Sequence, residues 1–230
     1  MQLPVKSFIH TVYLTLILVV NIPQETFTQS VYTSEGKNSI EGFLAISAND
    51  EATSYGFGVG FSIAGRGDLG IQYDSIQSKE KLLGYDLSAS GFSFSLGGLL
   101  AKQSAVIPVS AELQLGFGFF TYKSDALDYL GIDMKAQLLG LGIALHRNIP
   151  LSPAFSIQPA VGFAYTRSKV IMEDSYGDSV DDTETDTSFD LDLAFLIGIS
   201  PVSNIVLTPS LSFSKNTTSF NVSVGCMQEF

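Results

Sequence analysis

The stretch Ser54-Tyr55-Gly56-Phe57-Gly58-Val59-Gly60-Phe61-Ser62-Ile63 decides how this chain folds. Its odd positions carry Tyr, Phe, Val, Phe and Ile, and its even positions carry only Gly and Ser. A period of two puts every large side chain on one face of an extended strand and nothing bulky on the other. The same parity governs Val109 to Phe119, where Val109, Ala111, Leu113, Leu115, Phe117 and Phe119 alternate with Ser110, Glu112, Gln114, Gly116 and Gly118. It returns between Phe189 and Ile199, with Leu191, Leu193, Phe195 and Ile197 on one face and Asp190 and Asp192 on the other.

Working outward, turn signals separate ten such runs, near residues 39–48, 53–63, 67–77, 84–98, 106–121, 129–146, 153–171, 187–199, 204–215 and 218–230. Runs of ten or more exceed the common globular strand of about 5–6 residues and match the roughly 9–11 needed to cross a bilayer at a tilt. A face of Gly and Ser suits the cramped inside of a narrow barrel, large aliphatics and rings outside suit hydrocarbon, and closure leaves no unpaired edge. A soluble sandwich also alternates, but it hides its large residues in a shared core and leaves charges on the other face. The predicted fold is therefore all-β, an antiparallel up-and-down transmembrane barrel of ten strands. Eight strands follow instead if residues 31–52 lie outside the wall or two runs merge.

Two runs change phase midway. Tyr85, Leu87 and Ala89 give way to Phe92, Phe94 and Leu96, and Ile132, Met134 and Ala136 give way to Leu139, Leu141 and Ile143. These shifts predict β-bulges near Gly91 and around Leu138. Tyr55, Tyr73, Tyr85, Tyr122, Tyr129, Tyr165 and Phe230 fall at strand ends, where interfacial aromatics are expected. Ile107-Pro108-Val109-Ser110, Ile149-Pro150-Leu151-Ser152 and Ser200-Pro201-Val202-Ser203 each precede a new alternating run, with Pro placed where a strand starts without donating a ladder hydrogen bond. These predict short turns on the periplasmic side, with both termini. The alternate connections, including Lys123 to Tyr129 and Glu173 to Thr187, are predicted to be long outer loops.

The 230 residues contain no linker-like stretch, so 29–230 reads as one domain. Lys6 followed by the apolar Phe8 to Val20 predicts a secretory signal, 1–28, with no helix-spanning apolar run after it. A net charge of -11 without clustered Lys and Arg excludes nucleic acid. The single Cys226 excludes an internal disulfide and a Cys-based zinc site, and no lipobox Cys lies near the start.

In the last run Phe220, Val222 and Val224 alternate and the sequence stops at Phe230. Ser223, Gly225 and Phe230 occupy the polar, Gly and terminal aromatic places of the outer-membrane assembly signal, with Gln228 where that signal usually has a second hydrophobic residue. With Gly56-Phe57-Gly58, Leu115-Gly116-Phe117-Gly118 and Gly162-Phe163-Ala164-Tyr165, the chain resembles the small outer-membrane β-barrel domain proteins of Gram-negative bacteria, particularly those common in the Bacteroidota. The resemblance implies an outer-membrane location and barrel assembly machinery that recognises the C-terminal strand. Many members of that group have no assigned activity.

With apolar parity facing outward throughout, Glu41, Asp74, Asp86, Glu112, Asp133, Asp190 and Asp192 are predicted to face the lumen with Lys135 as the clearest inner cation. Such a lumen is either packed and hydrogen-bonded, with Glu112 or Asp133 paired to Lys135, or a small cation-preferring, porin-like pore. Glu173, Asp174, Asp178, Asp181, Asp182, Glu184 and Asp186 crowd one segment, and oxygen ligands at that density offer Ca²⁺ or Mg²⁺ binding as an alternative; the segment lacks EF-hand spacing, so a solvated loop with no metal or other cofactor is the expectation. Arg167 and Lys169 follow Val161, Phe163 and Tyr165 on the outward face, where they either snorkel or contact phosphate of membrane lipid and surface glycolipid. His10 lies in the signal and His146 at the periplasmic end of its run, flanking a turn, which leaves no base at the outer rim for catalysis. The expected function is thus a non-enzymatic integral outer-membrane barrel with a structural or surface-interaction role through its outer loops. The alternatives are the cation-preferring pore and, last, a rim enzyme acting on membrane lipid.

Overall fold

The computed structural model describes Thr33 and residues 36–230 except Asn216. The predicted signal, 1–28, lies outside the described residues. Eleven strands follow in order: β1 (Ser39–Ala48), β2 (Ala52–Ile63), β3 (Gly67–Leu82), β4 (Tyr85–Ala101), β5 (Ser110–Lys123), β6 (Ile132–His146), β7 (Ile149–Ser152), β8 (Phe155–Asp174), β9 (Ser179–Ser200), β10 (Ser203–Ser214) and β11 (Thr218–Glu229). A short helix, α1 (Asp125–Leu130), joins β5 to β6. Consecutive strands pair antiparallel except β6 and β7, β6 pairs instead with β8, and β1 pairs with β11. The sheet closes on itself as a ten-strand barrel, with the four-residue β7 folded against the start of β8 as an accessory. The eight-strand alternative is excluded.

The closing seam runs from Ser39↔Glu229 to Ala48↔Phe220 without a break. Beyond it Asn38 and Phe230 exchange both backbone hydrogen bonds, at 3.2 and 3.0 Å. Asn38, which leads into the first wall strand, and Phe230 therefore sit at one end of the cylinder, the termini end. The connections at that end, 64–66, 102–109, 147–154 and 201–202, are no shorter than those at the other, 49–51, 83–84, 124–131, 175–178 and 215–217. The expected contrast of short turns and long loops is corrected: the two ends differ in how far the strands continue.

Strands β8 and β9 are 20 and 22 residues long and stay paired up to Glu173↔Ser179, whereas β10 leaves β9 at Ser214↔Ser188. The segment Glu173 to Thr187 is thus a raised β-hairpin, not a long loop. A tight turn closes it, with Asp174 Oδ1 accepting from the Tyr176 and Asp178 N–H groups at 2.9 and 3.0 Å. The wall from β3 to β9 rises as a collar above the low rim of β10, β11, β1 and β2.

Below the collar the outward positions form an apolar belt. It includes Leu44 and Ile46 on β1, Phe57 and Val59 on β2, Phe92, Phe94 and Leu96 on β4, Leu115, Phe117 and Phe119 on β5, and Leu139, Leu141 and Ile143 on β6, all exposed. Rings meet across strands, Phe57 on Tyr73 at 5.4 Å and Tyr73 on Phe92 at 5.1 Å. Such cross-strand aromatic pairs fix the register as well as covering surface.

In the collar the pattern inverts. Ile76, Leu87, Ala89, Phe120, Tyr122, Met134, Ala136, Leu138, Val170 and Met172 point inward and form one buried cluster. Most of their outward neighbours are polar, as at Ser75, Ser88, Thr121, Lys135 and Lys169, with Ile171 between Val170 and Met172 as an exception. The predicted bulges near Gly91 and around Leu138 are absent, since the registers on both sides run straight through, as in Asp74↔Gly91↔Phe120 and Gly118↔Leu138↔Ser168. The phase change is a change of face. Helix α1 covers the cluster from above with Ala126 and Leu127, its N-cap Ser124 accepting from the Ala126 N–H at 3.3 Å and Gly131 closing it at φ 64°.

Candidate functional site: the barrel interior and collar

The interior holds carboxylates set into glycine gaps. Asp74 on β3 lies opposite Gly56 on β2, where a Cβ would meet the Asp74 carboxylate at 2.6 Å and the Gln72 amide at 2.8 Å. Glu112 reaches over Gly97 in the same way, at 2.6 Å, and Glu41 fills the space beside Gly225. Phe43, directly across from Gly58, lays its ring where that residue has no side chain. The alternation of Gly with large residues that identified the fold is, on the inner face, a set of sockets for the neighbouring strand's long side chains.

Neutral donors hold these acids. Gln72 Nε2 donates to Asp74 Oδ1 at 2.5 Å, Gln114 Nε2 to Glu112 Oε1 at 3.2 Å, and Ser188 Oγ to Asp190 Oδ2 at 3.4 Å. Ser212 and Ser210 on β10 bond Asp190 and Asp192, and Asn221 on β11 extends the row by donating to Ser210 at 3.2 Å. Glu41, Asp74, Glu112, Asp190 and Asp192 thus project inward, the first three buried and the last two half-buried.

Three predicted lumen residues face outward instead. Asp86 lies opposite Lys81 and forms an exposed ion pair with it at 3.1 Å. Asp133 and Lys135 are exposed on the outer face of β6, with Met134 between them pointing inward. All three errors come from carrying the belt's parity into the collar, where water replaces the apolar surround and the polar side of each strand turns out. Pairing of Glu112 or Asp133 with Lys135 inside the barrel is ruled out by that geometry. Among the described residues, no Lys or Arg projects inward from a wall strand.

Sequence reasoning missed Asp68, which is buried on the inner face of β3 and in contact with Glu112. The signal was present, because Asp68 shares parity with Gln72 and Asp74 behind the outward Leu69 and Ile71. His146 is also corrected. It does end β6 beside the connection, as expected, but it is buried inside, directly across from Ser110, and is not a surface residue. Neither ring nitrogen has a hydrogen-bond partner among the described residues. Ser223 and Gly225 face inward on β11, Phe230 is exposed at the seam, and Cys226 is exposed on the outward face.

The interior has two apolar zones. The collar cluster under α1 fills the end away from the termini along β3–β8, and Ala194, Leu196, Val206 and Met227 pack together at the termini end of β9–β11. Asp190, Asp192, Ser210 and Asn221 lie between them along one side.

On the collar, the Lys169 ammonium bridges to Asp181 at 2.5 Å and, by hydrogen bond and charge, holds that carboxyl below its usual range. Burial raises Glu184, and neighbouring Asp186 adds to it. The β9 edge left by β10 is covered by its own side chains, with Thr183 and Thr187 N–H groups bonded to Asp182 and Asp186 Oδ1 at 2.7 and 2.8 Å. The acids of this hairpin are spread over both faces and the turn. No group of three or more His, Cys, Asp or Glu among the described residues is arranged to hold a metal ion.

No protein-family model matches the chain, and no curated protein does. Solved structures match its shape. The beta domain of the Bordetella autotransporter Brka aligns with a TM-score of 0.56 at 11% identity, over 86% of this chain and 100% of that one. The translocator domain of the autotransporter NalP from Neisseria meningitidis aligns at 0.54 and 9% identity, over 98% and 96%. The fold is that of bacterial outer-membrane β-barrel domains. At such identities the likeness is one of architecture, and it carries no chemistry from those proteins to this barrel.

Proposed function

We propose that the protein is a sealed, non-enzymatic barrel of the bacterial outer membrane whose collar is the presented surface, in a structural or surface-interaction role. The observation that carries this is the inversion of apolar faces between belt and collar. Each large side chain of the belt forgoes roughly 1.5–3 kcal/mol if left in water. The outward run from Tyr55 to Ile63 climbs about 20 Å at about 3.3 Å per residue and a tilt of about 40°, most of the roughly 25 Å apolar band of such barrels. Above it the apolar residues turn inward, as an aqueous exterior requires. The packed cluster beneath α1 supports a closed interior.

The termini end is read as periplasmic, which leaves the collar outside. In that setting β11, zipped to β1 up to Phe230, is the strand that assembly machinery would meet, and membrane lipid contacts the belt. The narrower assignment to the barrel group common in the Bacteroidota rests on the sequence resemblance alone. One observation favours the cation-preferring pore as a second reading: the half-buried Asp190 and Asp192, with no cation on an inner strand face among the described residues.

Purified barrel in planar bilayers tests the choice, with silent membranes expected. Stable cation-selective steps that disappear in a Glu112→Gln, Asp190→Asn variant would replace the sealed reading with the pore. A processed chain that dissolves as a compact monomer without detergent would remove the membrane altogether.

A further inference from the structure

Four cations lie next to one another on the outer face of the collar. Thr121 pairs with Lys135, which places Lys123 diagonal to Lys135, and Gln137 pairs with Lys169, which places Lys135 diagonal to Lys169. Diagonal neighbours of this kind are about 7–8 Å apart. Arg167 stands two residues below Lys169 on the same face of β8, opposite Leu139. The row crosses β5, β6 and β8 just above the last belt residues of those strands, Phe119, Leu139 and Tyr165. The acids of the same faces, Asp133, Glu173 and Asp181, lie higher. The order outward from the belt is apolar, then positive, then negative.

This row differs from the other collar cations. Lys81 is paired with Asp86, and Lys79 donates to the Asn49 carbonyl. Lys123, Lys135 and Arg167 are exposed and have no ion-pair partner among the described residues, and Lys169 alone is tied, to Asp181. In a chain of net charge -11, seven of whose acids crowd residues 173–186, four adjacent cations at the upper margin of the belt form a local exception.

We infer that Lys123, Lys135, Arg167 and Lys169 bind the phosphorylated headgroup of a lipid in the leaflet that surrounds the upper belt. The acyl chains of that lipid lie against Phe119, Leu139, Tyr165 and their neighbours, which puts its phosphate at the height of the first two polar positions. Arg167 offers a bidentate fork and the lysines offer point charges, a combination suited to phosphate oxygens. The acids above the row keep the headgroup low by repulsion. This inference rests on the membrane reading and goes beyond it by naming a ligand class and a site.

The test uses the full barrel in detergent micelles doped with a bisphosphorylated glycolipid or with the same glycolipid lacking phosphate, and counts retained lipid by native mass spectrometry. The wild-type protein is expected to retain the phosphorylated form at least tenfold better than the phosphate-free one. Lys135→Gln, Arg167→Gln, Lys169→Gln together are expected to abolish that preference, and Lys79→Gln with Lys81→Gln to leave it intact. Heat-modifiable migration confirms that each variant is folded. Equal retention by the triple variant overturns the site, as does equal binding of the phosphate-free lipid. Displacement of the glycolipid by millimolar inorganic phosphate overturns the headgroup in favour of a free-anion site. All three outcomes leave a detergent-dependent barrel, so they are distinct from failure of the membrane reading.

Discussion

Strand β4 contains both halves of the molecule's design within one run of chain. From Phe92 to Gly97 its large residues point out and Gly or Ser points in; from Tyr85 to Ser90 Leu87 and Ala89 point in while Ser88 and Ser90 point out. Strands β5 and β6 repeat the switch, Phe119 outward followed by Phe120 and Tyr122 inward, and Leu139 outward preceded by Met134 and Ala136 inward. The backbone pleat continues unbroken, so the surroundings alone set which face is apolar. Belt and collar teach that a phase shift in hydrophobicity can mark the level at which a barrel leaves its apolar surround.

The comparison breaks if substitutions on the two faces do not behave oppositely in the two regions. Met134, fully buried beneath α1, is expected to lose about 2–5 kcal/mol on truncation to Ala. Lys135, its outward neighbour, should change by no more than about 0.5 kcal/mol under the same substitution. Reversible urea unfolding in lipid vesicles measures both. In the belt the sensitive side is the outer one: Leu141→Lys should destabilise by about 2–4 kcal/mol in the same assay, whereas Gln137→Lys, just above, should cost about 0–1.

A smaller effect tests the cover on the collar cluster. Ser124→Ala removes the N-cap of α1 and should lower stability by about 1 kcal/mol, with faster hydrogen exchange at the helix amides and little change in the belt strands. The edge of β9 is subtler. Asp182→Ala with Asp186→Ala uncovers the Thr183 and Thr187 N–H groups, and the expected outcome is greater self-association by sedimentation at nearly unchanged stability.

The smallest effect is electrostatic. Asp181, depressed by Lys169, should titrate below an ordinary Asp in an NMR pH series, and Lys169→Gln should return it toward the ordinary range. Because the folded value is lowered, any stabilisation is present above the unfolded value and is lost as pH falls through the folded one. An unchanged midpoint in the variant would show that the bridge does not persist in solution.

Much of the wall was legible before any coordinates. The ten runs correspond to ten wall strands, and Ser39, Ile63, Gly67, His146 and Thr218 already stood at or beside the ends of their runs. Alternation survives translation into structure because the pleat enforces it locally. The interior was legible only where the belt's rule applies, as at Glu112, Asp190 and Asp192. Asp86, Asp133 and Lys135 were misplaced because period-two patterning separates two faces without saying which encloses the lumen. The hairpin from Glu173 to Thr187 was hidden for a related reason: with water near both faces, Thr and Asp alternate as strand residues without an apolar stripe to announce them.

By itself the sequence determined the strands, their number and the difference between their two sides, since these follow from residue-by-residue alternation and turn chemistry. Tertiary structure decided which side faces in at each height, which glycine receives which neighbour's side chain, and which cations meet on β5, β6 and β8. Those outcomes depend on closure of the ring and on the register between strands far apart in the chain, and neither is written into any single run of residues.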